Sequence, residues 1–206
     1  EGEQALRVRP PRNLEAFLKL LEAREYIQRF NIEGNNMAKQ LAEEAIALDP
    51  EFAEAYHTLA SGHMMDVWLG TSKSPEESVR RAIELGQRAV ALDESEPMAH
   101  AFLGYFYAFA GQFDRAVAHA ERGLALDPNS YPVLHNAASA LAYSGRAEEA
   151  IPLFHEALRL NPFPPAIFFT RMGRAYSLAG RFDEAVEQGK KAVERDPKNL
   201  FSYLFL

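Results

Sequence analysis

The sequence predicts an all-α fold: a solenoid of five antiparallel helix pairs with a terminal half-unit. Three observations predict it. Small residues recur at Ala38, Ala82, Ala116, Ala150 and Ala185, with gaps of 44, 34, 34 and 35. A second set, Ala45, Ala89, Gly123, Ala157 and Ala192, repeats the same gaps, and so does a third, Pro50, Glu94, Pro128, Pro162 and Pro197. Each interval also carries helical periodicity: His100, Leu103, Gly104 and Tyr107 fall at i, i+3, i+4 and i+7, one face of a helix. The base period is therefore 34 residues, with ten inserted in one unit and one in another.

The elements follow in order. Residues 1–12 are charged and contain proline, which predicts a lead-in or linker. Asn13 caps a first helix running to about Phe30, Asn31 to Asn35 reads as a turn, and a second helix runs to about Leu48. Pair two begins near Ala53 and carries the insertion at Met64 to Lys73, with the chain's one tryptophan at Trp68. The insertion is expected to lengthen the first helix by a turn or more, with Trp68 either forming a lip or covering the flank of pair one. Ser74-Pro-Glu-Glu77 reopens a helix through a capping box with Pro at the first position. The units are placed at about 13–50, 53–96, 97–130, 131–164 and 166–199, with a partial unit at 200–206. Gly111, Gly145 and Gly180 stand where each pair must turn with φ > 0, and Pro128 stops a second helix. Pro152 falls inside the second helix of pair four, where it should kink the helix or leave a carbonyl unbonded. Leu200 to Leu206 reads as the start of another first helix; six of its seven residues are apolar or aromatic, and the stretch is expected to be covered by a second copy of the chain, giving a homodimer, or by occupying a groove.

Composition excludes several functions. The net charge of −7 disfavours a nucleic-acid partner. The absence of cysteine removes disulfides and thiolate metal sites. No apolar run approaches the ~20 residues of a membrane helix. No signal peptide is legible, so the expected compartment is cytoplasmic. A chain that begins at Glu1 rather than Met reads as a piece of a longer one.

No residue set reads as catalytic, and no cofactor is expected. Of His57, His63, His100, His119, His135 and His155, none lies four residues from another, so zinc-ligand spacing is missing. Glu148–Glu149 and Asp183–Glu184 resemble acid–base pairs, but both fall in the first turn of a helix, where negative charge suits the dipole. There is no phosphate loop and no nucleophile elbow.

This spacing resembles the tetratricopeptide repeat family. The last full unit gives Phe169, Met172, Gly173, Tyr176, Ala185, Gly189 and Pro197 against the family pattern, and the fourth gives Leu134, Ala137, Ala138, Leu141, Ala150, Phe154 and Pro162. The resemblance covers about residues 13 to 206. It implies a right-handed superhelical solenoid that acts as a non-catalytic protein–protein interaction scaffold, holding a peptide or helix segment in a concave groove lined by first helices. Carried onto this chain, the groove positions include His57, Met64, Met65, Met98, Tyr105, Phe109, His135, Ser139, Tyr143, Thr170 and Arg174. The alternative is that Tyr105, Phe109 and Tyr143 pack between units or against a chain terminus. The family's carboxylate-clamp subset is not matched: only Asn136 and Arg171 fall near its positions, and its first lysine is missing.

A second resemblance is narrower. Asn13-Leu-Glu-Ala-Phe17, the stretch Asn31 to Asn36 and Asp66-Val-Trp-Leu-Gly70 with Ser74-Pro-Glu-Glu77 are similar to repeat arrays that follow the catalytic domain in some bacterial class III nucleotide cyclases. It implies, as an alternative, a regulatory domain of a signalling enzyme. A self-assembly module is the third reading.

Overall fold

The computed structural model describes residues 13–198 and 200–206. These residues form ten α-helices and a 3-10 turn, with no strand among them. The chain divides into two compact units, one up to Leu92 and one from Asp93 to Leu206.

The first unit holds α1 (Leu14–Gln28), α2 (Ile32–Leu48), α3 (Ala53–Trp68) and α4 (Pro75–Leu92). Asn13 caps α1 as expected, its Oδ1 accepting from Glu15 N and Ala16 N at 2.9 and 3.2 Å. The stretch Asn31 to Asn35 is not a turn. Asn31 is itself a cap, accepting from Gly34 N at 2.7 Å, so α2 starts at Ile32. Asn35 is buried in α2, where its amide donates to Gly62 O at 3.1 Å and Asp66 Oδ1 at 2.7 Å. Leu20, Ala16, Ala45 and Ala55 make one apolar cluster; Ala23, Ala38 and Leu41 make another.

The insertion is spread over three places. α3 has 16 residues where α5, α7 and α9 have 13, the link 69–74 replaces shorter links such as 110–112, and α4 has 18 where α6, α8 and α10 have 14. Asp66 fastens it: its carboxylate accepts from Lys39 Nζ at 2.5 Å and Thr71 Oγ1 at 3.2 Å as well as from Asn35. Trp68 stacks on Phe30 at 6.5 Å between centroids and 10° between planes, covering the flank of pair one. Phe30 holds a left-handed φ of 47°, a conformation costly for an aromatic residue and here braced by that stack.

The second unit holds α5 (Pro97–Phe109), α6 (Phe113–Leu126), α7 (Tyr131–Tyr143), α8 (Ala147–Leu160), α9 (Ala166–Leu178), α10 (Phe182–Arg195) and the turn Leu200–Tyr203. The pairs α5–α6, α7–α8 and α9–α10 stack through their first helices, α5 on α7 and α7 on α9. That sandwiching buries nine residues of α5 and ten of α7, against three of α6. Close approach requires glycine here. A Cβ on Gly104 would stand 2.9 Å from Ala116 O, and one on Gly123 3.0 Å from Pro97 O. The turns at Gly111, Gly145 and Gly180 have φ of 72°, 84° and 76°. α8 continues from Ala147 to Leu160 through the exposed Pro152.

Two ties recur along the repeat, the first in all five helix pairs and the second at three positions of one register. Asp49, Asp93, Asp127, Asn161 and Asp196 each accept from the backbone N–H two residues on, at 3.0–3.3 Å, closing each second helix. Tyr56 and Tyr203 donate their hydroxyls to Pro50 O and Pro197 O, both at 3.0 Å, and His100 Nε2 lies 3.2 Å from Glu94 O, the same register. Tyr203 therefore enters the register of a sixth unit, although Leu200–Tyr203 is a 3-10 turn rather than an α-helix.

Candidate functional site

The sequence-predicted groove residues are distributed over both units. In the first, His57, Met64 and Met65 all sit on α3 and are buried. Burial, then the charge of Arg24, pushes the His57 pKa down to about 3.

In the second unit the predicted residues meet on the sandwiched layer α5–α7–α9. Tyr105 is at its centre and only 3% exposed. Its ring lies 6.1 Å from Phe109 and 6.0 Å from Tyr143, both edge-on, and Phe109 lies 5.7 Å from Tyr143. Phe109 and Tyr143 are half-buried, as is Met98 in the first turn of α5. The Arg171 guanidinium covers the Tyr105 ring at 4.3 Å and donates to Asn136 Oδ1 at 3.0 Å. Burial raises the Tyr105 pKa well above the usual phenol range, with the charges of Arg171 and Arg174 opposing.

His135, Ser139 and Thr170 lie in the interior rather than on an open face. His135 stacks on Tyr131 at 6.0 Å and meets Phe168 at 5.2 Å and Phe154 at 5.9 Å. Burial holds its pKa well below the usual imidazole range. Ser139 Oγ donates to His135 O at 2.7 Å, and Thr170 Oγ1 reaches Ala166 O and Phe201 O, each at 3.4 Å. Arg174 is half-exposed, with its guanidinium 5.3 Å from the Phe205 ring.

Sequence alone does not pick out Tyr131, Phe154 and Phe168 as one aromatic cluster around His135; their facing depends on how α7, α8 and α9 pack. Nor does it pick out a histidine pair. His100 Nδ1 lies 3.0 Å from His119 Nδ1. His100 Nε2 faces a carbonyl and must donate, so neutral His100 accepts at Nδ1 and His119 donates. Burial, then the neighbouring His100, pushes the His119 pKa down to about 4. Among the described residues no group of three or more metal-ligating side chains is assembled, and no helix is long and apolar enough to cross a membrane. What the layer offers is ring faces, phenol hydroxyls and guanidinium donors, the chemistry of binding.

Two family models described as tetratricopeptide repeat match, over residues 97–140 and 135–199. The chain is 34% identical over 91 residues to the small glutamine-rich tetratricopeptide repeat-containing protein 2 of Mycosarcoma maydis, covering 44% of this chain and 25% of that one. It is 28% identical over 152 residues to the peroxisomal targeting signal receptor of Saccharomyces cerevisiae, covering 58% and 25%. Its fold matches a thermophilic repeat protein of Thermus thermophilus with a TM-score of 0.65 at 23% identity, over 91% of this chain and 94% of that one. The chain spans 17% to 27% of the length of the curated relatives it matches.

Proposed function

The chain belongs to the tetratricopeptide repeat family, whose members generally serve as protein–protein interaction scaffolds, and on that premise we propose that its second unit receives a peptide or helix segment against the α5–α7–α9 layer. One observation carries this reading. Phe109 and Tyr143 are only half-buried while resting on the buried Tyr105, so two aromatic anchors are held rigid with little further entropy to lose on binding. A relative named as a targeting-signal receptor is consistent with peptide recognition by this family. The net charge of −7 keeps a nucleic-acid partner out of the proposal. Met98, at the edge of the layer, is proposed as an adaptable apolar contact.

The test is a displayed library of random dodecapeptides sorted on the folded chain. Binders should lose roughly tenfold or more in affinity on Phe109→Ala with Tyr143→Ala, while the melting temperature stays nearly constant. An equal fall of melting and binding would make both residues packing elements. A library that yields no binder would remove the proposal.

Self-assembly through the C-terminal segment is a second reading. It is favoured by the exposure of Tyr203, Leu204 and Leu206 at 47%, 50% and 60%, beside a Phe205 seated on α9 and α10. Sedimentation at several concentrations, with and without residues 200–206, decides it: a strict monomer in both forms rules it out.

A further inference from the structure

The three first helices of the second unit have an unusual charge pattern. α5, α7 and α9, thirteen residues each, contain no Asp or Glu, while α6, α8 and α10 contain nine. At the chain's own frequency of 29 acids in 206 residues, the three first helices would hold about five. Burial alone does not account for this, because it penalises both signs alike. Yet two arginines, Arg171 and Arg174, remain on α9. In a chain of net charge −7 the first-helix layer carries only positive charge.

The two arginines are differently engaged. Arg171 is committed within the fold, lying on Tyr105 and bonded to Asn136. Arg174 is one turn further along, half-exposed, with the ring of Phe205 beside it. Among the described residues no carboxylate forms an ion pair with Arg174, whereas Arg146, Arg159 and Arg181 at the second helices are each bound to glutamates. The charge of Arg174 reaches the centre of the aromatic cluster, since it acts on the Tyr105 phenol.

Resting on the peptide-binding reading of this layer, we infer that the bound segment is acidic: it carries a carboxylate beside a bulky apolar or aromatic side chain, and Arg174 pairs with that carboxylate. The apolar side chain lies against Phe109 and Tyr143. The guanidinium supplies the two parallel N–H donors that a carboxylate accepts, and the missing acids on the layer leave the approach free of repulsion.

The experiment sorts the same random dodecapeptide library on the wild-type chain and on Arg174→Gln, Arg174→Lys and Arg159→Gln. Wild-type binders should be enriched in Asp or Glu next to Phe, Tyr, Trp or Leu. That enrichment should vanish in Arg174→Gln, persist in Arg174→Lys, and persist in Arg159→Gln, which removes an outer ion pair. A single acidic binder remade as a synthetic peptide should weaken about tenfold or more in Arg174→Gln, and its Gln-for-Glu analogue should bind wild type and Arg174→Gln alike. Circular dichroism melts confirm that each variant is folded. Binders without acidic enrichment, or enrichment that survives Arg174→Gln, overturn the inference and leave the peptide-binding reading standing. A library with no binders on any form overturns both.

Discussion

Acidification is expected to loosen the first unit through His57. This residue is buried on α3, and its pKa is pushed from the ordinary 6.5 to about 3 by burial, then by Arg24. A depressed folded-state value means that the native state prefers the neutral ring. Above pH 6.5 the ring therefore costs nothing, and stability falls steadily as the pH drops from 6.5 toward 3, where the unfolded ring is protonated and the folded one is not. At about pH 7.5 both states are neutral and the effect vanishes. At about pH 5 the unfolded ring is protonated and the folded one is not, which costs about 2 kcal/mol of stability. His63, lowered by burial and then by Lys39, acts in the same direction, so the His57 share must be isolated by substitution. The carboxylates with lowered pKa, Glu44 and Glu77 among them, titrate below this window. The assay is urea unfolding at about pH 7.5 and about pH 5 followed by the fluorescence of Trp68, which lies on the same helix as His57. Wild type should lose about 2 kcal/mol more than His57→Leu between the two pH values. Equal pH dependence in the two proteins would refute the reasoning.

Three further outcomes follow from packing. Phe154→Ala empties a fully buried site between His135 and Phe168 and should cost about 3–5 kcal/mol, read by denaturant unfolding followed by circular dichroism. Asn31→Ala removes the acceptor for Gly34 N and should cost about 1 kcal/mol, with hydrogen exchange quickening in the first turn of α2 rather than in α6. Gly123→Leu places a Cβ 3.0 Å from Pro97 O and 3.2 Å from Ala101 N, so it should lower the melting temperature although leucine is the better helix former; a rise would show that α5 can retreat from α6.

The period is legible because the small residues that mark it are the points where helices touch. Ala38, Ala82, Ala116, Ala150 and Ala185 are all at most 3% exposed, and a larger side chain at any of them would part the pair. The glycine turns are legible for a related reason, since left-handed backbone selects glycine. The start of α2 is not, because Asn31 and Asn35 look alike in sequence. One caps a helix and the other is buried within it, and what separates them is the carbonyl of Gly62 and the carboxylate of Asp66, about thirty residues away. The recurring Asp or Asn at 49, 93, 127, 161 and 196 repeats the gaps of the other registers, so a fourth register is present and locates each second-helix end. The candidate site is only partly legible. The family resemblance carries Tyr105 onto the groove face, but α5 is enclosed by α6 and α7, so facing inward and being accessible are different things there. Phe109 and Tyr143, each the last residue of its helix, are only half-buried.

The central claim is that a peptide is held on the α5–α7–α9 layer of the second unit. Its most direct test labels the chain with 3-fluorotyrosine, assigns the eight tyrosines by single Tyr→Phe substitutions, and follows the fluorine spectrum while a selected dodecapeptide is added. The account predicts that Tyr143 moves most, that Tyr105 beneath it follows, and that Tyr107 and Tyr176, whose rings meet His119 on α6 and His155 on α8, stay in place. Shifts confined to Tyr107 and Tyr176, with Tyr143 and Tyr105 unmoved at saturation, would contradict it.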